Sequence, residues 1–127
     1  MSKPIAAINR YKANLREMSF LLFEQLRFQD VLGQAPYQDW GRDEIESSMT
    51  ECYKWVKDVI GPLNATGDIE GCRVEDGRVK TPTGFKEAWK KLYEAGWKSI
   101  SVPAEHGGAG APRTDRKSTR LNSSHRP

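Results

Sequence analysis

The sequence predicts a mainly α-helical fold with a small hairpin or ordered loop. Apolar residues recur at helical intervals in three segments, and a potential capping residue precedes each of them. One stretch between the second and third segments has the pattern of two short strands around a tight turn. At 127 residues, the chain has the length of one domain with a modest core.

The first predicted helix covers residues 15–28. Asn14 and Glu17 have the spacing of an N-terminal capping pair, and neither glycine nor proline interrupts the residues up to Phe28. The apolar side chains point in almost every direction, whereas a surface helix of a small domain has one apolar stripe. Leu15, Leu22 and Leu26 form one line with Met18 and Phe23 on its flanks, and Phe20, Leu21 and Phe28 point elsewhere. This helix is therefore either a central core helix or one that needs additional protein to cover its outer side chains.

The second predicted helix follows the loop LGQAPYQDWG and begins at the capping pair Asp43 and Glu46. Gly61 and Pro62 indicate that it ends or kinks there. Its apolar stripe consists of Ile45, Met49, Cys52, Tyr53, Val56, Val59 and Ile60. Trp55 lies at the edge of the stripe, where a partly buried core aromatic is favoured over a contact to a neighbouring domain, because buried aromatics are the commoner case.

A small hairpin or ordered loop is predicted in the stretch IEGCRVEDGRVKTP, from Ile69 to Pro82. Asp76 and Gly77 are residues that favour a tight turn, and Val74 and Val79 lie on either side of it.

The third predicted helix begins after Thr83, a plausible N-terminal cap, and ends at Gly96, which accommodates a left-handed backbone. One face of this helix carries Phe85, Ala88, Trp89, Leu92 and Tyr93. A short apolar segment, SISVP, then leads into AEHGGAGAP.

The net charge of +3 comes from the end of the chain. Residues 113–127 contain five basic residues and one acidic residue, whereas residues 1–112 contain 15 basic and 16 acidic residues. Because the body of the chain is nearly neutral, a nucleic-acid partner is not expected.

Two motifs near the end of the body contain residue types that occur in binding or catalytic sites. The cluster of Gly107, Gly108 and Gly110 could hold a phosphate only at the start of a helix after a strand, and it has neither the dinucleotide spacing nor a lysine. Glu105 and His106 could act as an acid and base or as metal ligands, but no partner residue stands at a suitable spacing. A solvated loop histidine is the favoured interpretation. No catalytic, cofactor-binding or metal-binding residue is assigned.

The two cysteines, Cys52 and Cys72, are too few for a disulfide framework or a zinc motif. Both are interpreted as reduced, one in a core and one in a loop. The sequence contains no apolar run long enough for a signal peptide or a membrane-spanning segment, so a cytoplasmic location without a membrane partner is expected.

Two long stretches resemble one enzyme family. Tyr11 to Leu26, YKANLREMSFLLFEQL, resembles the extra N-terminal helix of a long-chain branch of the acyl-CoA dehydrogenases. Ile60 to Pro112 resembles the remainder of that branch's N-terminal helical domain. The family's proline, acid and glycine loop is matched by Pro103, Glu105, Gly107, Gly108 and Gly110. His106 departs from the aromatic residue that is more usual there.

The resemblance implies a flavoprotein with a helical, a β and a second helical domain. In such enzymes a glutamate removes the α proton of an acyl-CoA thioester while the β hydrogen leaves as hydride to FAD. That glutamate and most flavin contacts would belong to the two later domains. The parent enzyme would act on acyl-CoA, pass electrons to an acceptor and form a homo-oligomer. This chain by itself is expected to be inactive and to bind no FAD.

The resemblance divides the chain into an N-terminal extension with the apolar helix (1–36), an incomplete acyl-CoA dehydrogenase N-terminal helical domain (37–112) and a non-native, disordered tail (113–127). Within the tail, Asp115 to His125 resembles the translation of a sequencing adapter. A genuine disordered basic arm is the alternative. In that case the chain would be a small helical interaction protein whose tail binds an anionic surface or nucleic acid.

Overall fold

The computed structural model describes residues 9–113. This part of the chain is mainly helical and contains one two-stranded antiparallel sheet, which confirms the predicted class. The helices are α1 (Leu15–Ser19), α2 (Arg42–Trp55), α3 (Leu63–Glu70) and α4 (Phe85–Glu94), and the strands are β1 (Arg73–Glu75) and β2 (Arg78–Lys80). The adapter-like segment and most of the predicted tail lie outside the described residues. The division at residues 36 and 112 stays a prediction.

Helix α1 begins as the sequence predicts. The Asn14 side-chain oxygen accepts a 3.1 Å hydrogen bond from the Glu17 amide, which supplies one of the partners that a helix N-terminus lacks. After α1 the chain continues as a wider π-helical segment, Phe20–Gln25.

The predicted end of this helix at Phe28 is wrong. The backbone of Arg27 adopts a left-handed conformation with φ of 51°, which ends a helix. A separate 3-10 turn, Phe28–Asp30, then follows. The Arg27 guanidinium lies 3.1 Å from the Asp30 carboxylate and so bridges the break.

Helix α2 begins two residues earlier than the predicted capping pair of Asp43 and Glu46 implies, because its N-cap is Gly41. The Glu44 carboxylate accepts a 2.9 Å hydrogen bond from the Gly41 amide, so Glu44 rather than Glu46 satisfies this terminus. Helix α2 continues as a π-helical segment, Val56–Ile60.

The break at Gly61 and Pro62 is confirmed, but the chain does not leave the helical conformation for long. Helix α3 starts at Leu63, immediately after Pro62. The sequence patterns do not predict this helix.

The hairpin is present as predicted. Strands β1 and β2 pair in register, with Val74 opposite Val79. Asp76 and Gly77 form the two-residue turn and both have positive φ, 51° and 70°. This geometry matches the right-handed twist of the strands, which explains the Asp-Gly signal.

Helix α4 has the predicted extent, but Thr83 is not its cap. The residue before α4 is Gly84, with φ of 88°, and the Thr83 amide instead donates a 2.8 Å hydrogen bond to the Glu70 carboxylate. That bond joins the end of α3 to the start of α4 and lowers the pKa of Glu70. Gly96, with φ of 79°, follows the helix as predicted.

The buried core is small. Phe23 is completely buried, and the other buried apolar side chains in the range 9–113 are those of Leu32, Ala88, Ala111, Pro82 and Pro112. The glycine loop folds back on the segment before it, because the Ala111 amide donates to the Ile100 carbonyl over 2.9 Å. The Trp40 indole donates a 3.2 Å hydrogen bond to the Ala109 carbonyl. This bond connects the loop before α2 with the end of the described chain.

None of the helices in residues 9–113 is both long and apolar enough to cross a membrane.

Candidate functional site

A groove of about 480 Å³ lies between α1, α2 and the segment that follows α4. Leu15 and Leu22 line it from the first helix, and Ile45 and Met49 line it from α2. Trp97 and the residues near it close the third side, together with the end of the glycine loop. The predicted apolar stripes of the first two helices therefore face one another across this groove.

The lining of the groove carries no formally charged side chain. Its polar groups are the hydroxyls of Tyr11, Ser48 and Tyr53, the thiol of Cys52 and the indoles of Trp40 and Trp97. The Trp97 indole nitrogen is buried and has no hydrogen-bond partner within residues 9–113. The arrangement suits an apolar occupant, since buried charges need a partner that this lining does not offer.

This lining does not fit FAD as a whole. The diphosphate of a flavin dinucleotide needs cationic side chains or free backbone amides at a helix N-terminus. The groove offers no Lys or Arg side chain. We therefore derive no catalytic step through a flavin from these residues.

One end of the groove is bordered by aromatic rings. The rings of Tyr11 and Tyr53 are 5.9 Å apart, and the Lys57 ammonium lies 5.9 Å from the centre of the Tyr53 ring. The Asn9 side-chain amide donates to the Lys57 carbonyl, which holds the chain before α1 against the π-helical segment that follows α2.

A cluster of charged and polar side chains connects the first helix to α2. The Ser19 hydroxyl donates a 2.6 Å hydrogen bond to Glu46, and the Arg42 guanidinium lies 3.2 Å from the same carboxylate. Arg42 also lies 3.4 Å from Glu24 and 4.7 Å from the centre of the Phe23 ring. The hydrogen bond from Ser19, with Arg42 adding to it, lowers the pKa of Glu46 despite partial desolvation. The hydrogen bond with Glu46 raises the pKa of Arg42.

Glu105 and His106 do not form a built site. They lie in a 3-10 turn with 3.5 Å between the His106 Nε2 and a Glu105 carboxylate oxygen, and both side chains are well exposed. No group of three His, Cys, Asp or Glu residues that could hold a metal ion occurs within the described range. These observations agree with a solvated loop histidine.

The glycine loop uses its own amides. The amides of Gly107, Gly108 and Gly110 donate to the carbonyls of Ala104, Pro103 and Val102, respectively. A phosphate would have to replace these bonds, so the loop is not a preformed phosphate site. Gly108 is required for another reason: a Cβ atom there would collide with the Val102 carbonyl.

The two cysteines have the predicted surroundings. Cys52 is half-buried and lines the groove, whereas Cys72 is exposed in the loop before β1. Trp55 is half-buried, which agrees with a partly buried aromatic.

The predicted apolar face of α4 is only partly covered. Ala88 is buried, whereas Trp89 and Tyr93 are each 56% exposed. Their rings make an edge-on pair at 5.3 Å, and the Lys98 ammonium lies 5.2 Å from the Trp89 ring.

The sequence patterns missed the contributions of Trp40 and Trp97 to the groove. Each lies in a loop or a short turn, outside the apolar stripes of the predicted helices. The only local signal was that both are large aromatic residues, which a small domain seldom leaves entirely in solvent.

Proteins that are similar to this chain share one enzyme class. A 3-methylmercaptopropionyl-CoA dehydrogenase of Ruegeria pomeroyi is 35% identical over 103 residues, which cover 81% of this chain and 18% of that protein. A butyryl-CoA dehydrogenase of Syntrophomonas wolfei is 32% identical over 94 residues, which cover 71% of this chain and 15% of that protein. The homologues of this chain are acyl-CoA dehydrogenases.

A third acyl-CoA dehydrogenase, described as a broad-specificity linear enzyme of Mycobacterium tuberculosis, is 29% identical over 112 residues, covering 84% of this chain and 18% of that protein. The chain thus spans less than a fifth of the length of each of these acyl-CoA dehydrogenases. No protein-family model matches the chain. The chain is 29–35% identical to these three enzymes over most of its length. This similarity supports the interpretation that the chain is a fragment of the acyl-CoA dehydrogenase family.

Proposed function

We propose that the chain is part of an FAD-dependent acyl-CoA dehydrogenase that introduces an α,β double bond into an acyl-CoA thioester, in fatty-acid or related acyl-CoA catabolism. The observation that carries this proposal is the 35% identity over 103 residues with a 3-methylmercaptopropionyl-CoA dehydrogenase. The predominantly helical architecture of residues 9–113 is consistent with an N-terminal helical domain of such an enzyme.

In this proposal the chain contributes a helical scaffold and leaves the chemistry to other parts of the enzyme. Residues 9–113 offer an uncharged groove and exposed apolar side chains that further protein would cover. Glu105, the acid in the glycine loop, is exposed beside His106 and is not the catalytic base. The chain alone is therefore inactive and holds no FAD.

The parent enzyme in this proposal is a cytoplasmic homo-oligomer that receives acyl-CoA and passes electrons to an acceptor. Residues 113–127 form a non-native tail, translated from adapter DNA. Support for this part comes from the contrast in charge, since residues 113–127 contain five basic residues and one acidic residue while the body is nearly neutral.

The decisive experiment begins with the gene. Amplification of the locus from source DNA without adapters should yield a reading frame that continues past Pro112 into a β domain. The continuous protein, once purified, should reduce an artificial electron acceptor in the presence of acyl-CoA, whereas the 127-residue chain should not. A stop codon after Pro127 in the native DNA would exclude the proposal.

A second candidate function is a small helical interaction protein with a basic tail that binds nucleic acid or another anion. The observation that favours it is the exposure of large apolar side chains, including Leu26 at 63% and Ile69 at 68%. Such surfaces on a monomer often mark interaction sites. The stop codon named above would favour this function over the dehydrogenase fragment.

A further inference from the structure

One face of the first helix combines an exposed aromatic ring with two opposite charges. Arg16, Phe20 and Glu24 follow one another at intervals of four residues, so they lie close together along one side of the helix. Phe20 is 55% exposed, the Glu24 side chain is 58% exposed, and Arg16 is also exposed. Arg16 belongs to α1, and Phe20 and Glu24 belong to the π-helical segment that continues it. We call these three residues the outer face of the first helix. Phe20 is not part of the groove lining.

We propose that the outer face of the first helix binds a second copy of this chain, with the two helices antiparallel. A two-fold axis at Phe20 places Phe20 against Phe20 of the copy. The same axis places Arg16 of each chain opposite Glu24 of the other, because both residues are four positions from Phe20. One apolar contact is thus flanked by two identical ion pairs.

The charges specify the orientation of the two helices. In a parallel arrangement with the same register, Arg16 would face Arg16 and Glu24 would face Glu24, which is repulsive. In the antiparallel arrangement every charge of the outer face meets its opposite. A partner with an uncharged apolar surface would leave both charges without such a counterpart.

Arg16 and Glu24 are both available for this contact. Within residues 9–113, Arg16 makes no ion pair. Glu24 contacts Arg42 through one carboxylate oxygen at 3.4 Å, and its side chain still remains largely exposed. The contact with Arg42 limits the orientations of the Glu24 carboxylate, but the Glu24 side chain stays accessible to a partner.

The proposed contact is small. A single pair of short helices buries less surface than the roughly 1,200–2,000 Å² that is typical of specific, stable complexes. The dimer should therefore be weak and should dissociate further as salt screens the two ion pairs.

The test is sedimentation velocity of the 127-residue chain over a range of concentrations, with charge reversals in the outer face. Arg16→Glu and Glu24→Arg should each raise the dimer dissociation constant about tenfold, because two-fold symmetry converts each reversal into two like-charge contacts. The double variant should return it to within about threefold of the wild-type value, since both pairs are restored with their signs exchanged. Phe20→Gln should prevent dimer formation.

A matched control is Ile69→Gln, because Ile69 is an apolar residue on α3 that is even more exposed than Phe20, at 68% against 55%. It should leave the dissociation constant unchanged. Far-UV circular dichroism identifies any variant that unfolds, and the recovery in the double variant cannot come from unfolding.

A monomeric wild-type chain at all concentrations would overturn the proposal. Association that is insensitive to Phe20→Gln, or a double variant no stronger than the single reversals, would overturn it as well. The proposal does not rest on the dehydrogenase assignment, because it concerns the measured mass of this chain, whereas that assignment depends on the reading frame and on activity.

Discussion

The Ser19 hydroxyl and the Glu46 carboxylate are joined by a 2.6 Å hydrogen bond between the first helix and α2. Arg42 holds the same carboxylate from within α2, at 3.2 Å. Ser19 of α1 therefore adds a hydrogen bond to the ion pair that Arg42 and Glu46 form within α2. This is a polar attachment between two helices whose apolar sides face the groove.

Replacing Ser19 with Ala should weaken that attachment. Hydrogen bonds to charged groups are among the stronger ones, but the Glu46 side chain is 39% exposed, so water screens part of the effect. We expect the free energy of unfolding to fall by about 1 kcal/mol, measured by urea denaturation. Ser47→Ala is the control, since Ser47 is an exposed serine on α2. Equal effects of the two substitutions would argue against a specific role for Ser19.

The stability of the chain should depend on pH through Glu46. Its pKa is lowered from the ordinary value of 4.5, chiefly by the hydrogen bond from Ser19. A carboxyl group with a lowered pKa in the folded state stabilises the protein above its unfolded pKa, and this stabilisation disappears as the pH falls through the folded pKa. The difference in unfolding free energy between the wild type and Glu46→Gln should therefore shrink between pH 6 and pH 3. A difference that is independent of pH would contradict this expectation.

Phe23 and Phe20 provide a matched pair of substitutions on the same helical segment. Phe23 is fully buried beside Arg42, whereas Phe20 is 55% exposed. Phe23→Ala should lower the free energy of unfolding by about 3–5 kcal/mol, enough to unfold a small domain of marginal stability. Phe20→Ala should cost less than about 1 kcal/mol in the monomer. The measurement is urea denaturation of both variants at a low protein concentration, at which the chain is monomeric. Equal losses of unfolding free energy in the two variants would show that Phe23 is not the core residue.

The purified 127-residue chain should be colourless. The groove is uncharged and offers the flavin diphosphate no Lys or Arg, so tight FAD binding is not expected. The check is the absorbance near 450 nm after gel filtration with excess FAD. Stoichiometric flavin absorbance would contradict the prediction.

Several elements could be predicted from the sequence because their signals are local. Asn14 caps the first helix, the turn of Asp76 and Gly77 joins two strands, and Gly96 follows α4 with a positive φ. In each case the residue type by itself restricts the backbone within a few positions.

Other features depend on contacts that no local pattern contains. Helix α3 was missed because Gly61 and Pro62 are signals for the end of a helix and Gly67 weakens the next one. The end of the first helix at Arg27 needs a left-handed backbone at a residue that rarely adopts it. The groove depends on Trp40 meeting Ala109, a contact across 69 positions of the sequence.

The candidate site likewise has features that the sequence predicts and features that depend on distant contacts. The absence of a catalytic assignment came from Glu105 and His106 having no partner in the sequence, and both side chains are exposed in the structure. Phe20, Leu21 and Phe28 all point away from the main apolar line of the first helix in the sequence. Phe20 and Leu21 are exposed, but Phe28 is half-buried and lines the groove. Its direction changes because the left-handed residue Arg27 precedes it.

Gly108→Ala should disrupt the glycine loop that closes one end of the groove. The added Cβ would collide with the backbone carbonyl of Val102, which cannot move aside without breaking its hydrogen bond from the Gly110 amide. The loop would then lose its position relative to Trp40, whose indole donates to Ala109. We expect a loss of at least about 2 kcal/mol in urea denaturation, as for overpacked positions.

The matched control for this substitution is Gly41→Ala. The nearest atom to an added Cβ there is a Glu44 carboxylate oxygen, at 2.7 Å. That flexible side chain can move away and loses only its hydrogen bond from the Gly41 amide. Near-UV circular dichroism should change for Gly108→Ala, because the surroundings of Trp40 and Trp97 change, and should remain close to wild type for Gly41→Ala. If both variants keep the wild-type spectrum and midpoint, the close approach of Gly108 to Val102 does not hold the loop in place.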